Sequence, residues 1–176
     1  MSTEVAEKGK LKSRWFIERY KDEAAFLRGE TSSVIDAEGR ELPGESIIEG
    51  NLLLNEGIAV VLDLACALAS PTAFSNAAAY LGVGDSATAA AATQTGLQAA
   101  TNKAYVAMEA AYPSRSNQTI SFRSVFGSAV GNFAWAEFTV ANGSSDSAAN
   151  LNRVVSAQGT KASGQTWTLT LTITLS

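Results

Sequence analysis

The 176-residue chain contains no histidine and a single cysteine, Cys66. The lack of histidine removes the commonest general base, the commonest metal ligand and every catalytic triad built on imidazole. A structural zinc site wants thiolate and imidazole ligands, which one cysteine cannot supply. Cys66 is therefore predicted to be a small buried hydrophobic residue, and no internal disulfide can form. We expect a protein that is not an enzyme and has no cofactor and no bound metal.

Charged side chains are few, and the net charge is only −4. A mildly acidic chain argues against a protein that coats nucleic acid. No segment reaches the roughly 18 to 20 apolar residues of a membrane span, and the charged N-terminus predicts no secretory signal. Residues 1–50 hold 8 of the 13 basic and 11 of the 17 acidic side chains. This uneven distribution predicts an N-terminal arm over residues 1–46 and a folded domain over residues 47–176.

The end of the chain alternates strictly between large apolar residues and threonine. A period of two places the apolar groups on one face of a strand and the hydroxyl groups on the other. The apolar face is predicted to cover a core, and the threonine face is predicted to point outward. Hydroxyl groups carry no charge to desolvate, so this face can meet either water or another subunit. The outward positions are Thr168, Thr170, Thr172 and Thr174.

Shorter strand-like segments occupy residues 79–84, 105–112, 119–126, 133–140 and 151–155, separated by turns rich in glycine, serine and asparagine. This spacing is typical of an antiparallel β-sandwich. Residues 51–69 are predicted to form one amphipathic helix, because Leu54, Ile58 and Leu62 follow helical spacing. Only Glu56 and Asp63 are charged there, so most of the helix surface is expected to be covered. The predicted fold class is mainly β, a sandwich with this helix and an extended N-terminal arm.

The predicted arm carries more large apolar side chains than an exposed segment normally has. They are expected to dock either on the chain's own core or on a neighbouring protein, where aromatic anchors supply most of the binding energy. The two alternatives stay open from the sequence. The candidate partner interface consists of Trp15, Phe16, Ile17, Tyr20, Phe26 and Leu27.

Three other features are weaker signals of chemistry. Gly82-Val83-Gly84-Asp85 lacks the remaining residues of a nucleotide-binding loop, so its glycines are interpreted as positions with little backbone space. Glu137 is expected to be partly covered and paired with Arg123 or Arg153. The loop over residues 142–150 offers oxygen ligands for calcium, but its spacing does not match an EF-hand and a plain turn is favoured.

The order of short motifs from about residue 48 to residue 176 resembles a family of small structural proteins encoded by tailed bacteriophages. The residues that carry this resemblance are 49–57, 79–86, 94–97, 112–115, 132–137, 151–153, 159–161 and 166–169. The resemblance implies a virion component of the head-decoration or tail-fibre-associated type. These motifs contain no catalytic residues, and residues 1–47 match less clearly.

The expected function is therefore that of a structural protein of a phage virion. The first hypothesis is a capsid decoration protein that binds the major capsid protein and neighbouring copies of itself, as a homo-oligomer such as a trimer, through its N-terminal arm. A tail component, such as a fibre, collar or baseplate subunit, is the second. A virion glycan hydrolase and a carbohydrate-binding module that stacks Tyr112, Trp135 and Trp167 on a sugar ring are the remaining alternatives.

Overall fold

The computed structural model describes residues 11–176, which form a mainly β protein with twelve strands and two helices. The predicted fold class of an antiparallel sandwich is confirmed. The strands are β1 (Leu11–Tyr20), β2 (Val34–Ile35), β3 (Glu41–Leu42), β4 (Glu45–Glu49), β5 (Leu52–Leu53), β6 (Tyr80–Gly84), β7 (Lys103–Ala107), β8 (Ser114–Ser116), β9 (Thr119–Phe126), β10 (Glu137–Ala141), β11 (Asn150–Val155) and β12 (Thr166–Leu175). The helices are α1 (Glu23–Leu27) and α2 (Asn55–Cys66).

Two five-stranded antiparallel sheets make up the sandwich. The first sheet has the strand order β4-β1-β12-β9-β8, and the second has the order β5-β11-β10-β6-β7. β2 and β3 form a separate two-stranded hairpin. Large side chains on the inner faces of the two sheets share one core, because side chains alternate between the faces of a strand. The fully buried aromatic residues of this core are Trp15, Phe122, Phe126, Trp135, Phe138 and Trp167.

β1 contradicts the prediction of an arm outside the sandwich. It pairs with β12 over its whole length, from Leu11 opposite Leu175 to Tyr20 opposite Thr166, and with β4 on its other side. Part of the predicted arm over residues 1–46 is therefore a strand of the first sheet. The alternation between apolar and polar residues in β1 is hard to see in the sequence, because the aromatic Phe16 lies on the outer face and the charged Arg19 lies on the inner face. Residues 1–10 of the predicted arm lie outside the described residues.

α2 also differs from the predicted helix over residues 51–69. Residues Leu52–Leu53 form strand β5, and the helix ends at Cys66, followed by Ala67 in the left-handed conformation (φ 52°). Its N-cap is Leu54, which makes no side-chain capping bond. Cys66 is exposed rather than buried, so the prediction for its environment was wrong.

Two buried cations lie at the edge of the core, and no carboxylate among residues 11–176 is within hydrogen-bond distance of either one. Arg19 lies 4.6 Å from the centroid of the Trp167 ring and donates to the backbone oxygens of Pro43 and Gln158. Burial lowers the pKa of Arg19 to about 10. Lys161 donates through Nζ to the Gly127 carbonyl at 2.9 Å and to Asn132 Oδ1 at 2.7 Å. Desolvation lowers the pKa of Lys161 to about 8.

Lys161 is expected to make stability rise with pH above about 8. A lysine with a lowered folded-state pKa binds fewer protons in the folded state than in the unfolded state, so the free energy of unfolding increases between the two pKa values. Chemical denaturation of the wild type and of Lys161→Met from pH 7 to pH 9.5 measures this. As the pH rises, the free energy of unfolding of the wild type should increase relative to that of Lys161→Met. A constant difference would contradict the assigned environment of Lys161.

Candidate interaction surface

The surface of α2 is the most apolar feature that the structure leaves uncovered. Only Gly57 and Val60 of this helix are buried, where they pack toward β11. Space is short at this contact, since a Cβ atom on Gly57 would collide with the backbone of Leu151. The sequence predicted that most of α2 is covered, and within one chain this is wrong. Its exposed large side chains are Ile58, Val61, Leu62 and Leu64, and Leu68 follows the helix.

α2 faces one end of the first sheet across an open groove. β1 and β12 each have ten residues, whereas β6 and β10 have five, so the inner face of the first sheet extends beyond the second. α2 stands opposite this overhang and leaves a groove of about 310 Å³. The side chains at its rim come from the helix and from the ends of the two long strands. We call the following five residues the α2 patch: Leu11, Ile58, Val61, Leu62 and Leu175.

No charged side chain among residues 11–176 lines this groove, whose walls are entirely aliphatic or aromatic. The two acidic residues of α2 are directed elsewhere. Glu56 accepts the backbone N–H of Asn150 at 2.8 Å, and Asp63 is half-buried. The groove and its rim can therefore bind apolar groups and offer nothing that would recognise a charged ligand.

The residues predicted as a partner interface divide into three groups. Trp15, Ile17 and Tyr20 are buried in the sandwich, which agrees with docking on the chain's own core. Phe16 is half-buried on the outer face of the first sheet, and Phe26 packs edge-on against Tyr20 with ring centroids 5.3 Å apart. Leu27 is 75% exposed and is the one member fully available to a partner in the described chain.

The threonine face of β12 points away from the core but is only partly open. Thr168 is fully buried and donates to Glu18 Oε2 at 2.8 Å. Thr170 is half-buried, and its hydroxyl has no hydrogen-bond partner among residues 11–176. Thr172 donates to the Arg14 carbonyl at 3.3 Å, and Thr174 shares a 2.7 Å hydrogen bond with Thr119. Three of the four predicted outward hydroxyls are thus engaged within the first sheet.

A buried ion pair on the second sheet fastens the long loop over residues 85–102. Glu137 and Arg153 are both fully buried, with Arg153 Nε 2.7 Å from Glu137 Oε2. The Glu137 carboxylate also accepts the backbone N–H groups of Gln98 and Ala99, and Arg153 donates to the Thr88 carbonyl. Of the two partners that the sequence left open, Arg153 is the correct one. Each charge is satisfied, so this arrangement holds the loop and leaves no free group for chemistry.

Arg123, the other predicted partner of Glu137, belongs to a different cluster on the first sheet. Its guanidinium lies 2.6 Å from Glu109 Oε2 and 3.1 Å from Glu18 Oε2. The glycines of the Gly82-Val83-Gly84 segment occupy tight positions, as predicted. A Cβ atom on Gly82 would collide with the Tyr105 ring, and one on Gly84 would collide with the Glu137 carboxylate.

The oxygen atoms of the loop over residues 142–150 serve internal contacts. Asp146 binds Lys103 Nζ and accepts the Tyr105 hydroxyl at 2.7 Å. Asn142 Oδ1 accepts the Ala149 N–H, and Asn150 Oδ1 accepts the Thr139 hydroxyl. In the part of the chain that the structure describes, no group of three or more cysteine, aspartate or glutamate side chains is placed to hold a metal ion.

Two of the aromatic residues considered for sugar stacking are inaccessible. Trp135 and Trp167 are fully buried and pack against each other with ring centroids 4.9 Å apart, so neither can stack on a bound sugar. Tyr112 is half-buried. None of the helices in residues 11–176 has the length and apolar character needed to cross a membrane.

The fold and surface of residues 11–176 together define a β-sandwich protein with an exposed apolar surface beside α2, the longer of its two helices. Searches with the sequence and the structure found no match to a protein-family model, to a curated protein or to a solved structure. The class of the protein therefore rests on its own geometry.

Proposed function

We propose that this protein is a structural subunit of a tailed-phage virion, in the first place a capsid decoration protein. The observation that carries the proposal is the exposed apolar surface of α2 and the adjoining groove. A large uncovered apolar patch marks a site of protein–protein contact, because leaving it in water costs free energy that association recovers. A helix that is apolar on nearly all sides is normally covered.

The resemblance in the order of short motifs supports the virion as the setting for this contact. Several of those motifs lie in β6, at the start of β10 and in β12, where they build the sandwich. The attachment surface that we propose, however, differs from the predicted arm. Three of the six arm residues are buried, so attachment is assigned to α2 and its groove, with Leu27 as an outlying exposed contact.

The experiment is to purify virions by density gradient from lysates of cells that carry this gene on its phage. An antibody raised against the purified protein then locates it by gold labelling in the electron microscope. We expect the protein in the virions, with gold on the heads. Gold on the tails would favour a tail component, and absence of the protein from gradient-purified virions would contradict a structural role.

The matched pair of variants for this test is Leu62→Glu and Leu27→Glu. Both replace an exposed leucine of a helix, and they lie near opposite ends of the ten-residue strand β1, which is about 30 Å long at roughly 3.3 Å per residue. If α2 supplies the attachment surface, Leu62→Glu should fail to enter virions and Leu27→Glu should enter them as the wild type does. Equal incorporation of both would remove α2 from the proposal.

A further inference from the structure

We propose that the α2 patch is the contact between two copies of this chain, which pair reciprocally through it. The inference rests on the proposed function in treating the patch as an assembly surface, and it names the occupant. The contact would be twofold and isologous, so that each copy presents the same residues to the other. The reasons for a second copy are the size of the patch, its lack of charge and its shape.

The patch is large enough for a stable pair. Leu62 and Leu175 are 54% and 58% exposed, and Ile58, Val61 and Leu11 are 38%, 44% and 38% exposed. Together these side chains expose several hundred Å², a large part of the roughly 800 Å² per partner of a standard interface. Most of the surface area buried in such a contact would therefore be apolar.

The charge distribution favours a copy over a different partner. Each chain carries a net charge of −4, so two copies repel each other unless they meet through a neutral surface. The groove is such a surface, because no charged side chain of the described residues lines it. Charged groups across an interface contribute much of the specificity for one particular partner, and this groove provides none of them.

The form of the patch allows a reciprocal contact. The groove is bordered on one side by Leu62 of α2 and on the other by Leu175 at the end of β12. A projecting apolar rim therefore lies directly beside an apolar depression on the same molecule. In the pair, Leu62 of each copy would enter the groove of the other. The same contact would then be made twice and would cover the apolar surface of both copies.

A lipid surface fits the patch less well. Helices that lie on membranes usually carry lysine and arginine along their polar side, where these residues contact anionic headgroups. The polar positions of α2 are Asn55, Glu56 and Asp63, and the helix contains no basic residue. The polar side of α2 therefore offers no cation to an anionic bilayer.

The test is sedimentation velocity of the purified full-length protein over a range of concentrations. We expect a mass of twice 18.3 kDa at micromolar concentration, with dissociation on dilution. Leu62→Glu should raise the dissociation constant by about 30-fold or more, the loss typical of a central interface residue. Leu175→Glu changes the opposite rim and should weaken the pair as well, and Leu27→Glu should leave it unchanged.

A second measurement identifies which part of the chain forms the contact. Amide hydrogen exchange of the wild type should slow in α2 as the protein concentration rises, and exchange in α1 should not change. Circular dichroism of each variant checks that it is folded. Since Leu175 is 58% exposed, its substitution leaves the core intact even if Leu62→Glu disturbs α2.

The outcomes are distinct for the two proposals. The reciprocal contact would be overturned by a wild type that stays monomeric at hundreds of micromolar or that forms a trimer. It would also be overturned if Leu62→Glu and Leu175→Glu both paired as well as the wild type does. A monomeric protein that is nevertheless a virion component would leave the proposed function standing without this inference. A pair that is disrupted by both substitutions, in a protein absent from virions, would support the contact and remove the virion role.

Discussion

A chain that begins at Ile47 is expected not to fold. The deletion removes β1, which lies between β4 and β12 in the first sheet and pairs with β12 at ten consecutive positions. It also removes Trp15 and Ile17 from the core, where both are fully buried. Without β1, one side of β12 loses its hydrogen-bond partners and the apolar core opens to water. Circular dichroism and thermal unfolding of the truncated chain should show no cooperative transition.

Two full-length variants provide the comparison for this deletion. Trp15→Ala should lower the free energy of unfolding by about 3 to 5 kcal/mol, the usual loss for a buried large aromatic side chain. Leu27→Ala changes a side chain that is 75% exposed and should have little effect. If the chain from Ile47 unfolded cooperatively near the temperature of the wild type, β1 would be a dispensable arm after all.

Trp167→Ala is expected to lower the free energy of unfolding by about 3 to 5 kcal/mol. Trp167 is fully buried and contacts Trp135 edge-on, with 67° between the ring planes. Its Nε1 donates to Gln165 Oε1 at 3.0 Å, and the Arg19 guanidinium lies over its ring. Alanine would leave a cavity at the centre of the core and a buried cation without its aromatic partner. Urea denaturation of the wild type and of Trp167→Ala measures this loss in the free energy of unfolding.

Thr170→Ala is the control from the same strand. Thr170 lies on the opposite face of β12, is half-buried, and its hydroxyl makes no hydrogen bond, so its loss should change the free energy of unfolding by less than about 1 kcal/mol. Equal losses for Trp167→Ala and Thr170→Ala would mean that the two faces of β12 are wrongly assigned, or that an assembly buries both.

The regular segments of the sequence predicted their strands well. The predicted strand over residues 119–126 coincides with β9, and the alternation at the end of the chain defines β12. The segment over residues 133–140 was predicted less well. Trp135 and Phe138 both point into the core although they are three residues apart, so the period of two is broken before β10 begins at Glu137.

The candidate surface was only indirectly visible in the sequence. The scarcity of charge on residues 51–69 indicated a covered helix, and that signal pointed to the helix that the structure leaves apolar and exposed. It could not show that the cover is missing within one chain, because this depends on the unequal lengths of strands in the two sheets. The sequence also left open what covers the residues around Trp15, since an apolar side chain looks alike in sequence whether its own core or a partner covers it. The structure buries Trp15, Ile17 and Tyr20 in the chain's own core.

Local periodicity by itself determined that this protein is mainly β, because the alternation of side chains depends only on the strand backbone, and the short spacing of strands and turns indicated an antiparallel sandwich. It also determined which face of β12 is apolar. Only the tertiary structure decided that β1 joins the first sheet, that Glu137 pairs with Arg153, and that α2 stands over an open groove. These contacts join residues far apart in the chain, and their partners are set by how the two sheets pack, which no local pattern records.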